Sequence, residues 1–198
     1  LPITADLFDN TSYQNLLIYV GEKGEFAHPL ISEKRMTLVE NGQADTLKLA
    51  ANFPFYAPRT FTAKHVSYER TFMQATGLGY AAGWETITLP YDVQRFVHSV
   101  KADVAPFGCD AANHFWLAKY ENDGFVAATQ MAANVPYIIA MPNNTEYGNS
   151  SLRGTVAFMA DDATIDATDN VVGCQGRNFS LVPSYDIITP SADVYAFF

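Results

Sequence analysis

Carboxylates are the first residues in this sequence whose spacing could do chemistry. Residues 83–92 read GWETITLPYD, with Glu85 and Asp92 near its two ends. A glycosidase needs two carboxyl groups about 5–9.5 Å apart on either side of the sugar bond. On a strand rising about 3.3 Å per residue, Glu85 and Asp92 stand more than ~20 Å apart. They cannot share one bond. Glu69 could face Glu85 from a neighbouring strand, but two solvated face residues account for both.

A second group of acids lies in Asp161–Asn170 (DDATIDATDN), which holds Asp161, Asp162, Asp166 and Asp169. Calcium takes clustered carboxylates and carbonyls on loops. The stretch lacks the alternating acids and following Gly of the helix–loop–helix calcium motif. A solvated acidic loop is the expectation, and a structural calcium on these four residues is the alternative. No other cofactor is expected.

Cys109, Asp110 and His114 (CDAANH) suggest a cysteine nucleophile. That chemistry needs an imidazole in hydrogen-bond reach of the thiolate and donors for an oxyanion, and proximity in sequence supplies neither. The two cysteines, Cys109 and Cys174, are far apart and neither belongs to a CxxC pair, so a structural zinc site is not expected. A Cys109–Cys174 disulfide, which would favour an exported protein, and two separate thiols both remain open. His28, His65, His98 and His114 show no HExxH or HxH spacing.

Aromatic residues are the strongest hint of binding, with 14 Phe, 11 Tyr and 2 Trp. In an all-β core most of them must be filling. Trp84 shares strand parity with Thr86 and Thr88, the more polar face, so Trp84 with neighbouring Glu85 is the candidate ligand-binding pair. Trp116 stands among core-like neighbours and is expected to pack inside.

The elements that must position these residues read mostly as strands. Period-two or short apolar patterns occur at 16–20 (LLIYV), 46–50 (TLKLA), 66–72 (VSYERTF) and 86–91. Others occur at 114–120, 136–141, 154–159, 178–182 and 193–198. Breakers such as VENGQ, ENDG and GCQGR separate them, with Asn, Asp and Gly supplying the turns. Pro90 has no N–H for a ladder and closes its strand. One segment departs from this pattern. From 92 to 104, Val93, Phe96, Val97, Val100 and Val104 recur at helical spacing, with Asp92 as cap and Pro106 beyond the end. The expectation is an all-β fold, an antiparallel β-sandwich with one short helix at 92–104. A boundary near 53–59 would divide a strand-rich lead-in, 1–58, from the sandwich, 59–198, unless the two form one continuous domain.

The formal net charge of −9 argues against nucleic acid and anionic lipid as partners. The longest apolar run, Val135–Met141, is far short of the ~20 residues of a membrane helix. The chain opens LPITADLFDN without Met and reads as a processed piece of a longer protein. Sequons begin at Asn10, Asn143, Asn149 and Asn178.

The stretches YERTF (68–72), GWETITLPYDV (83–93) and PYII (136–139), with NLLIYV upstream, resemble the C-terminal β-rich module of large exported surface proteins of Bacteroidetes-type bacteria. That module is often attached to leucine-rich repeats. The resemblance implies export, surface attachment and an adhesive or accessory role, and it carries no catalytic residues. The sequence therefore leads to a non-enzymatic, monomeric module of a bacterial surface or secreted protein, outside the cell. It would bind a glycan or host protein, or act as a spacer. An accessory domain of a carbohydrate-active enzyme is the alternative. In such a protein the sequons are only Asn-rich turns.

Overall fold

A computed structural model describes residues 13–21, 28–73, 76, 83–142 and 151–186. In chain order the strands are β1 (Leu16–Val20), β2 (Met36–Glu40), β3 (Gln43–Ala50), β4 (Phe61–Phe72), β5 (Glu85–Ile87), β6 (Arg95–His98) and β7 (Ala102–Pro106). They continue with β8 (His114–Glu121), β9 (Gly124–Ala127), β10 (Tyr137–Ala140), β11 (Gly154–Ile165), β12 (Cys174–Gln175) and β13 (Ser180–Leu181). A single-turn helix, α1 (Pro29–Ser32), precedes β2; the His28 ring caps it by accepting from the Leu30 N–H.

Two hairpins show how sequence sets the reversals. Asn41 and Gly42 have φ of 49° and 76° and join β2 to β3; Asn122 and Asp123, at 52° and 63°, join β8 to β9. A two-residue loop with positive φ at both positions matches the twist of the strands it joins, and Asn, Asp and Gly tolerate it best. The expected strand at 193–198 lies outside the described residues, as do the sequons at Asn10, Asn143 and Asn149.

The fold is all-β. Strands β1-β2-β3-β4-β11-β6-β7-β8-β10-β5 form one hydrogen-bonded ladder, with β9 beside β8 and a separate β12–β13 hairpin. The pairing is mixed and not purely antiparallel, because β1–β2, β3–β4 and β7–β8 run parallel. The link between β7 and β8 is only two residue pairs long. The ladder bends there, and β4-β11-β6 on one side face β8-β10-β5 on the other as the layers of a sandwich. Phe96 of β6 meets Phe115 of β8 edge-on at 5.0 Å, and Arg70 of β4 forms an ion pair with Glu85 of β5. Neither pair belongs to adjacent strands. One core, from Val39 through Phe158 to Ile165, fills the space between. The residues on either side of position 58 belong to one sheet, since β3 pairs along β4 from Gln43–Thr62 to Ala50–Glu69.

The helix expected at 92–104 is a β-hairpin. Phe96 and Val104, which share a helical face on paper, are opposite partners across β6 and β7. Reversal of the chain places residues eight apart side by side, as two turns of helix would. Val100, nominally on the same apolar face, is 80% exposed in the turn.

Three central strands kink together. Inward residues in β11 run Val156, Phe158, Ala160 and then skip to Ala163 and Ile165; β4 skips from Ala63 to Val66, and β3 from Ala44 to Leu47. The register sets these skips level, pairing Ala44, Ala63 and Ala163 on one side and Leu47, Val66 and Ala160 on the other. Asp162 has φ 49°, the backbone irregularity that lets two successive residues face outward.

Gly154, where β11 begins, has φ 130°, and a Cβ there would lie 3.2 Å from His98 Nε2. The ring cannot easily yield. Its Nδ1 accepts from the Val100 and Lys101 N–H groups, and its Nε2–H donates to the Arg153 carbonyl. Gly154→Ala should therefore destabilise by about 1–3 kcal/mol, read by urea denaturation; a cost within error of zero would show that the site relaxes.

Candidate ligand-binding face

Strand alternation and register together assemble an aromatic row. In β8, Phe115 and Leu117 point into the core while His114 and Trp116 point outward and are half-buried. Ala140 of β10 lies opposite Trp116, and Ile139 lies opposite Glu85 of β5. Trp84, one residue before Glu85, is thereby set on the same outer row. The Trp84 and Trp116 rings lie 6.3 Å apart at 38°, and Ala140 between them is fully buried. A small residue at that position lets two indoles approach across an intervening strand. Phe107, just after β7, extends the row at 5.3 Å from Trp116, and the His114 ring stacks on it at 5.4 Å and 20°. Trp116 is thus an outer-face residue and not the core residue expected from its neighbours.

Glu85 does not share this face. It has the inward parity of Ile87, pairs with the Arg70 guanidinium, and keeps 22% of its side chain exposed. Arg70 also donates to the Thr86 carbonyl at 2.7 Å and lies over the Phe72 ring. The Arg70–Glu85 pair ties β5 to β4 across the core, and Trp84 is positioned by that tie. Glu69 faces outward to Lys48 at 3.2 Å, and Asp92 accepts from the Ala133 N–H at 2.7 Å. The carboxylates considered for hydrolysis each serve a separate structural contact.

The four acids of 161–170 are dispersed. Only the second half of that stretch is loop, since β11 runs to Ile165. Asp161 accepts from Arg95 at 2.9 Å and lies 2.9 Å from His65 Nδ1, and the Gln94 side chain bonds both its N–H and its carbonyl. Asp162 sits at the kink near Lys64, Asp166 N–H donates to the Pro90 carbonyl, and Asp169 is in an exposed turn. Among the described residues no three His, Cys, Asp or Glu side chains are grouped as metal ligands.

Hydrogen bonding to His65, with the charge of Arg95, holds the Asp161 carboxyl below its usual 3.8. A depressed folded value means that the stabilisation is complete above the unfolded value and is lost as pH falls through the folded one. The loss should therefore occur below pH 3.8. An NMR titration should place the Asp161 midpoint under that value and move it upward in His65→Ala. An unmoved midpoint would remove His65 as the cause.

Cys109 and Cys174 are separate free thiols, so the disulfide reading is not what the structure shows. The Cys109 thiol donates to the Thr129 carbonyl at 3.5 Å, while His114 Nε2 bonds the Cys109 carbonyl at 2.9 Å. The imidazole meets the backbone and not the sulfur, which is no nucleophile–base pair. Burial raises the Cys174 thiol above its usual value. Asn178 is exposed in the turn between β12 and β13, consistent with a turn residue.

Phe107 and His114 did not enter the candidate pair read from sequence. Parity along HFWLAKY could have placed Trp116 and His114 outward, but nothing local brings Phe107 or Trp84 beside them. No protein-family model, curated protein or solved structure matches the chain.

Proposed function

We propose that the chain is a non-enzymatic module of a bacterial cell-surface or secreted protein that binds a glycan or a host protein. The observation that supports binding is the outer-face aromatic row Trp84–Trp116–Phe107–His114, which runs from the start of β5 past β10 and β8 to the residue after β7. Flat rings beside polar strand residues such as Thr86 suit the apolar face of a sugar or an aromatic-rich peptide. A binding role is also favoured over hydrolysis by the way Glu69, Glu85 and Asp92 are each engaged structurally.

The test is a screen of the purified chain against a glycan array, mucin and matrix proteins, with heat-denatured protein as control. Trp84→Ala is expected to abolish a saturable hit while the far-UV spectrum stays that of the parent. Binding that survives in folded Trp84→Ala and Trp116→Ala variants would move the site elsewhere. A clean negative across the panel would favour the spacer role.

A further inference from the structure

Strand β9 pairs with β8 and, among the described residues, with no other strand. The hairpin decides which of its backbone groups are used. Ala128 N–H donates to the Leu117 carbonyl, so 117 and 128 are a hydrogen-bonded pair. Alternation along an antiparallel ladder then makes 119–126 and 121–124 the next two such pairs. Gly124 and Val126 turn their N–H and C=O groups toward β8, while Phe125 and Ala127 turn theirs away. Side chains on both faces of the strand are open, with Phe125 45% and Val126 46% exposed. The sequence GFVA has no charge and no proline, the usual devices that keep an edge strand from pairing.

We propose that β9 is an association edge on which a second copy of this chain adds its own β9, antiparallel about a two-fold axis at Val126. That arrangement sets Phe125 opposite Ala127 of the second copy, and Ala127 opposite its Phe125. Both residues carry outward backbone groups, so each pair exchanges both of its N–H···O bonds. Val126 meets its own counterpart in the non-hydrogen-bonded position, where side chains approach most closely. Register is therefore self-complementary in both hydrogen bonds and apolar contact.

Charge also permits the pairing. Each copy carries −9, yet no charged side chain lies within the four residues that pair. The nearest acids are already engaged: Glu121 with Lys119, and Asp123 with the Tyr120 hydroxyl and the Arg177 N–H. The Tyr120 ring supports Phe125 at 5.6 Å. The β12–β13 hairpin is held to the same turn through the Arg177 N–H and Asp123. An edge this short buries little area, so the association is weak and depends on concentration. It departs from the monomeric module expected of the sequence.

Sedimentation equilibrium on the purified chain, from micromolar to millimolar concentration, tests this. The mass-average should rise from 21.8 kDa toward twice that value. Hydrogen exchange at the Phe125 and Ala127 amides should slow over the same range. Ala127→Pro removes an outward N–H that the β8–β9 ladder does not use, and proline is tolerated at such edge positions. Val126→Lys sets like charges opposite each other. Both variants should stay monomeric with the parent's far-UV spectrum, while Gln130→Lys, which adds the same charge off the strand, should still associate. If the proline variant unfolds, Val126→Lys decides alone. A chain monomeric throughout, including one that instead captures extended peptides, overturns the proposal. So does a dimer that persists in folded Val126→Lys.

Discussion

Phe158→Ala is expected to lower the free energy of unfolding by about 3–5 kcal/mol, the largest loss of any single truncation considered for this chain. Phe158 is fully buried in the middle of β11 and meets rings from both neighbouring strands, Tyr68 of β4 and Phe96 of β6. Phe96 in turn carries the contact to Phe115 in the opposite layer. The Phe158 backbone carbonyl also accepts from the buried Tyr91 hydroxyl at 2.8 Å, and burial drives that phenol well above its usual value. Removing the ring opens a cavity where rings from three strands of the core converge, and two rigid layers cannot collapse into it. Met159, next along the strand, faces outward, so Met159→Ala should cost about 1 kcal/mol or less. Urea denaturation of both variants checks the contrast. Equal losses would mean that the layers do not meet at Phe158.

Arg70→Ala should cost about 2–3 kcal/mol and disturb the aromatic row without touching it. The substitution leaves Glu85 with its cation removed and the Thr86 carbonyl without its Arg70 donor, at side-chain exposures of only 26% for Arg70 and 22% for Glu85. An unpaired, mostly buried carboxylate costs more than the pair contributes, so the partner matters. Adding Glu85→Leu to Arg70→Met should recover most of the loss, because an apolar pair leaves no orphaned charge. A double-mutant cycle read by denaturation measures this, and tryptophan fluorescence reports whether Trp84 has shifted against Trp116. A loss that the second substitution does not relieve would assign Arg70 to packing on Phe72 and not to the ion pair.

The kink explains why three strands are longer than their sequence pattern. The period-two pattern marks strands at 46–50, 66–72 and 154–159, whereas the structure has Gln43–Ala50, Phe61–Phe72 and Gly154–Ile165. Each expected strand stops at or just short of the pair, Asp45–Thr46, Lys64–His65 or Asp161–Asp162, that breaks the alternation. Two successive outward residues look like the end of a strand when neighbours are unknown. In the sheet they are continued by hydrogen bonds to strands with the same interruption. The same blindness made Asp161 and Asp162 look like loop acids with a taste for calcium, when His65, Arg95 and Lys64 surround them.

The 92–104 hairpin imitates a helix in sequence for a related reason. Helical spacing and a reversing ladder both bring residues eight apart onto one side, and local pattern does not separate them. Strand β9 offered too short a signal, four residues with Phe125 and Val126 outside the core.

What the chain's own residues determined was local: the all-β character, the turns at Asn41–Gly42 and Asn122–Asp123, and the strand β1 at Leu16–Val20. These follow from backbone geometry and alternation, which act within a few residues. Only the tertiary structure decided that Trp84, Ala140, Trp116 and Phe107 form one row, that Glu85 turns away from it toward Arg70, and that the ladder bends at β7. Those facts depend on register between strands tens of residues apart. A shift of one residue would send every side chain of a strand to the opposite face, and no local pattern records it.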